Sequence, residues 1–182
     1  GVTEAVGALG IIAPPLGDSL HAGFYAYSLL LGAFVKGRWD TPVPPLTTSF
    51  QYSILDDPDL ARFYPAVTLA ATPNITDEFS YTLKEFDPGD VDSTMALSLR
   101  RSVLWILGGP LPPDALKKTR TDPGVLAALG SAMAARELFG GAAFWSAYRR
   151  RFEAGDFDYS AWRYYFADSN HHVQFIVTPA KK

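Results

Sequence analysis

The stretch Phe24–Val35, FYAYSLLLGAFV, is aromatic and aliphatic throughout apart from Ser28 and Gly32. Its reading decides the fold. A strand here places a sheet in the N-terminal half, whereas a helix here puts an α-layer at the centre of that half. The apolar positions follow no clean 3.6-residue period, and Gly32 and Gly37 bracket the end, so both conformations stay open. The reading adopted is a buried strand. The run is also too short for the roughly 20 residues that a membrane-spanning helix needs, and no transmembrane segment is predicted.

Working outward, residues 1–16 are small and apolar and end in Pro14-Pro15, which deny backbone donors, so they read as an extended arm or a short strand. Downstream, Pro42, Pro44 and Pro45 make an extended connector. In Thr47–Leu55 the residues Phe50, Tyr52 and Ile54 alternate with polar neighbours, as a half-buried strand does. Asp57-Pro58 suits the start of a short capped helical turn. Ala66–Ala71 reads as a short strand. Glu78–Phe86 alternates through Phe79, Tyr81 and Leu83 and breaks at Asp87-Pro88-Gly89-Asp90, which predicts another strand with one wet face.

The second half changes character. Asp92-Ser93 can cap a helix over 94–107, stopped by Gly108-Gly109-Pro110. Residues 111–122 form a basic loop. Asp122-Pro123 opens a helix that runs through Leu138 to Gly140-Gly141, and a second spans 142–154. Val173–Val177 returns as a strand. The expectation is an α+β fold in one domain over 1–182. Its sheet is mainly antiparallel, from the N-terminal half and the C-terminal strand, packed against helices from residues 93–154.

A chain of 182 residues can bury roughly 70% of its unfolded surface, enough for a core without staples. With 48% hydrophobic and 19% charged residues it is not a disordered chain, and the absence of cysteine excludes disulfides and thiolate chemistry. The net charge of −3 hides a gradient. Residues 1–92 hold 12 acidic and 4 basic side chains, a net −8, and residues 93–182 hold 7 and 12, a net +5. Two differently charged faces explain this without a partner. A functional reading is head-to-tail self-association, or an anionic ligand on the C-terminal half.

The segment LGDSLHAG at 16–23 and Asp168-Ser169-Asn170-His171 stand in the order of two catalytic blocks. Together they resemble the GDSL, or SGNH, serine hydrolases. That resemblance implies Ser19 as nucleophile, His171 as base and Asp168 as the residue orienting His171. It also implies a doubly wound sheet with Ser19 between a strand and a helix. The remaining glycine and asparagine blocks of that family have no counterpart here, and a turn with a helix cap accounts for Gly17-Asp18-Ser19 equally well.

The three histidines are His21, His171 and His172. Adjacent histidines on a strand point to opposite faces, so no metal site is expected. The acidic pairs at 56–59 and 156–158 read as solvated loops, and no nucleotide-binding or cofactor motif is present. Arg149, Arg150 and Arg151, with Trp145, Tyr148 and Phe152 around them and Arg163 in an aromatic stretch further on, could neutralise phosphates and stack bases. The competing reading gives those aromatics to the core and the arginines to solvent. The function expected is a non-enzymatic structural or assembly subunit, coat- or matrix-like, forming homo-oligomers and contacting nucleic acid or another anion. The alternative is an ester hydrolase using Ser19, Asp168 and His171.

Overall fold

The computed structural model describes residues 6–39, 46–55, 57–67, 75–111 and 113–177. The chain divides into two compact units, one of residues 1–91 and 157–182 and one of residues 92–156. The fold is α+β, as its sequence order implies. The proline connector at 40–45, the far end of the strand expected over 66–71 and residues 1–5 of the arm lie outside the described residues.

The first unit holds the sheet. Its strands are β1 (Val6–Ile12), β2 (Leu46–Gln51), β3 (Leu60–Val67) and β4 (His172–Val177), in the order β2-β3-β1-β4. All pairings are antiparallel, with Ile11 opposite Ala61 on one side and His172 on the other. The stretch read as arm or strand is therefore an interior strand. The sheet's buried face, with Leu9, Ile11 and Ala61, meets the core built with α1 (His21–Trp39), α2 (Ile75–Glu85) and α7 (Tyr159–Ala167).

The strand expected at Phe24–Val35 is the helix α1, a correction with a clear cause. Phe24, Tyr25, Ala26, Tyr27, Leu30, Leu31 and Val35 are all buried, and they point around the helix rather than along one stripe. A helix covered on most sides needs no amphipathic period, so its sequence looks like a buried strand. Ser28 hides its hydroxyl by bonding the Phe24 carbonyl at 2.8 Å, one turn back. Gly23 lets α7 close in, because a Cβ there would lie 2.7 Å from Trp162 Nε1.

Two further elements differ from expectation. Residues 75–85 form α2, in which Phe79, Thr82 and Leu83 are buried and Tyr81 is exposed, with Phe86 buried just beyond its end. The apparent alternation came from Phe79 and Leu83, one turn apart on a helix, with an outward Tyr81 between them. The turn expected to begin a helix at Asp57-Pro58 instead leads into β3. Asp57 Oδ1 accepts from Asp59 N at 3.3 Å, and Leu60 N bonds the Asp57 carbonyl at 3.3 Å. The same acceptor chemistry serves a turn as well as a cap.

The second unit is helical, with α3 (Ser93–Val103), α4 (Pro113–Lys118), α5 (Pro123–Leu138) and α6 (Gly141–Ala154). Most of its ends match their sequence signals, although α3 stops at Val103 instead of running to 107. Asp92 Oδ1 accepts from Thr94 N and Asp122 Oδ1 from Gly124 N, while Gly155, at φ +69°, closes α6 in the left-handed conformation. Leu107, Ala132, Trp145, Tyr148 and Phe152 are its buried apolar residues. α4 occupies part of the expected basic loop. No described helix is long and apolar enough to cross a membrane.

Candidate functional site

In the first unit polar side chains gather where β1 hands over to α1. β1 is tied down by Ala13 N bonding the Asp59 carbonyl at 2.7 Å. The turn that follows is built on Asp18, whose Oδ1 accepts from Leu20 N at 2.8 Å and from the Ser19 hydroxyl at 3.4 Å. Ser19 is exposed, and that bond is a local turn contact rather than one to an imidazole. Its place between a strand and a helix matches the hydrolase resemblance locally. The sheet does not match it, because every pairing is antiparallel.

His21 opens α1 and is fully buried. Its Nε2 lies 2.7 Å from the Pro58 carbonyl oxygen and 2.8 Å from the Tyr52 hydroxyl, which itself donates to the same carbonyl at 3.2 Å. A carbonyl can only accept, so the arrangement places the ring proton on Nε2. Burial lowers the imidazole's affinity for a second proton, against weaker opposing effects from the Pro58 carbonyl and the Asp59 and Asp18 carboxylates. His21 is therefore neutral near pH 7. Burial likewise holds the Tyr52 and Tyr25 hydroxyls protonated. Phe24 and Tyr25 close the cage, with ring centroids 5.4 and 5.1 Å from that of Tyr52.

A second cluster involves α7. Tyr165 donates its hydroxyl to the Ile12 carbonyl at 2.9 Å, and the His171 ring stacks on it at 3.8 Å and 11°. Burial, followed by the Asp168 and Asp18 carboxylates, raises the tyrosine's pKa. His171 Nδ1 donates to the Tyr165 carbonyl at 3.0 Å, while the nearest Asp168 oxygen is 4.0 Å away. Asp168 instead accepts from Asn170 N at 2.9 Å. Asp168 and His171 are thus neighbours, but a main-chain carbonyl orients the imidazole. His172 Nε2 donates to the Phe166 carbonyl at 2.8 Å. Each histidine therefore tethers backbone.

The arginines are partly spent. Arg149 Nη1 donates to the Gly108 carbonyl at 2.7 Å and Arg163 Nη2 to the Lys84 carbonyl at 2.6 Å. Arg150 and Arg151 are exposed. Trp145, Tyr148 and Phe152 are buried, so these rings pack the core rather than offer stacking faces. His21 and Tyr52 share a carbonyl in an enclosed aromatic setting, yet neither was singled out as a site residue from the sequence. The only signal was His21's place two residues after the serine that drew attention.

No protein-family model matches the chain, and no curated protein sequence matches it. Solved structures do. A candidate zinc protease from Bordetella pertussis Tohama I superposes with a TM-score of 0.58 at 14% identity, covering 99% of this chain and 97% of that one. The inactive peptidase domain of a candidate zinc protease from Bordetella parapertussis gives 0.56 at 12% identity, covering 100% and 94%. At such identities the likeness is one of fold.

Proposed function

We propose that this chain is a non-enzymatic domain on a peptidase-type fold, acting as a structural or assembly subunit through association. The observation that carries this reading is the closed environment of His21. A hydrolytic zinc takes about three side-chain ligands and keeps one position open. Zinc peptidases commonly place two histidines one turn apart on a helix with a glutamate beside one of them. On α1 the only histidine is His21, and the positions three and four residues on are Phe24 and Tyr25, both buried. Its Nε2 proton is committed to Pro58. The residues present do not fit a catalytic zinc, and among the described residues no three potential ligands gather. The second structural neighbour, an inactive peptidase domain, agrees with this reading.

Calorimetric titration of chelator-treated protein with Zn²⁺, paired with a peptide-library cleavage assay, tests it. The expected result is no stoichiometric binding and no cleavage. Stoichiometric zinc with cleavage that His21→Ala abolishes would overturn the proposal. The absorbance ratio at 260 and 280 nm of the purified protein reads the nucleic-acid contact expected at Arg149–Arg151.

A further inference from the structure

The two units differ in charge as well as in architecture. Residues 92–156 carry nine Lys or Arg against six Asp or Glu, a net +3, while the rest of the chain carries seven against thirteen, a net −6. Each also presents a distinct apolar feature. In the second unit, α3 and the start of α4 flank a groove of about 530 Å³ lined by Leu104, Pro110, Leu111 and Pro113, with Arg101 on its wall. Lys117 stands one turn beyond Pro113 on the same side of α4. The groove is mainly apolar, with Ser98 and Ser102 also lining it, and basic at its edge.

The first unit carries an exposed leucine of opposite charge surroundings. Leu20, 58% exposed, projects from the turn before α1. Asp18 is exposed beside it and accepts from Leu20 N at 2.8 Å, while Asp59, also exposed, is held at the same end by the His21 Nε2 bond to the Pro58 carbonyl at 2.7 Å and the Ala13 N bond to the Asp59 carbonyl at 2.7 Å. An exposed leucine flanked by acids is what an apolar groove flanked by bases accepts. Apolar burial supplies affinity and the charges supply orientation and partner choice.

We propose that the groove between α3 and α4 receives the Leu20 knob of a second copy of this chain, with Asp18 and Asp59 facing Arg101 and Lys117. This rests on the association reading above and names its surface. The contact is heterologous, so it adds copies head to tail into a ring or an open chain. Exposed charges flank it, so salt weakens it.

Sedimentation velocity across a concentration series tests the proposal on the whole chain, at low and high salt. The variants are Asp18→Arg with Asp59→Arg, and Arg101→Glu with Lys117→Glu. Wild type is expected to grow with concentration and to shrink in salt. Each variant alone should stay monomeric, and an equimolar mixture of the two should associate again, which unfolded variants could not do. A wild type that is monomeric throughout overturns the proposal, as does assembly seen only with nucleic acid. Variants that assemble like wild type also overturn it, while leaving association through another surface standing. Zinc-dependent cleavage would sink the non-enzymatic claim alone, and the association on which this contact rests would still be decided by the sedimentation series.

Discussion

The two units reach order by different means. The first surrounds α1 with rings: Phe24 alone has Tyr52, Trp162, Tyr165 and Phe166 within 5.9 Å between centroids. The second relies on capped helices of which α3 buries no residue and α5 only Ala132. The lesson is that long-range packing carries the first unit and local chain signals carry much of the second.

The largest expected effect breaks that contrast at its centre. Phe24→Ala should destabilise the protein by about 3–5 kcal/mol in urea unfolding, as for other buried aromatic truncations. Leu126→Ala, at a position 56% exposed on α5, should stay within about 0.5 kcal/mol. Similar losses at both positions would refute the comparison.

His21 sharpens it through pH. Its affinity for a second proton is lower folded than unfolded, so the unfolded chain binds the proton first as pH falls. The stabilisation is complete above the unfolded imidazole's pKa of about 6.5 and is lost as pH drops through it toward the folded value. Urea midpoints measured across that window should fall on acidification for wild type and less steeply for His21→Gln. Parallel curves would remove the neutral, carbonyl-bound imidazole from the account.

A smaller effect belongs to the second unit. Asp122→Ala, which removes the acceptor for the Gly124 and Val125 amides, should cost about 1 kcal/mol in the same assay, with Asp122→Asn recovering most of it. The smallest expectation concerns Ser19. Ser19→Ala should leave aryl-ester turnover at the level of wild type, because the hydroxyl's bond is to Asp18 within its own turn. A loss confined to that variant would revive the hydrolase reading.

What could be read in advance follows the same division. Asp122-Pro123 and Gly140-Gly141 mark helix ends because the chemistry of capping lies within a few residues of chain. The Val173–Val177 strand was legible for the same reason, as a short β-branched run. Phe24–Val35 and Phe79–Phe86 were not, since which side of each residue is covered depends on elements elsewhere in the chain. The candidate site fared likewise. Asp168 and His171 lie three residues apart and are neighbours, 4.0 Å apart at their closest, but the Tyr165 carbonyl that orients the ring is visible only once α7 is folded.

The sequence by itself determined the α+β order, the helix boundaries of residues 122–154, the C-terminal strand and the opposed charges of the two halves, all of which are properties of composition or local capping. The tertiary structure alone decided that α1 is a helix, that β1 is an interior strand, and that His21 is a neutral tether between Tyr52 and Pro58. Those outcomes depend on burial, and burial is set by partners tens of residues away that no local pattern specifies.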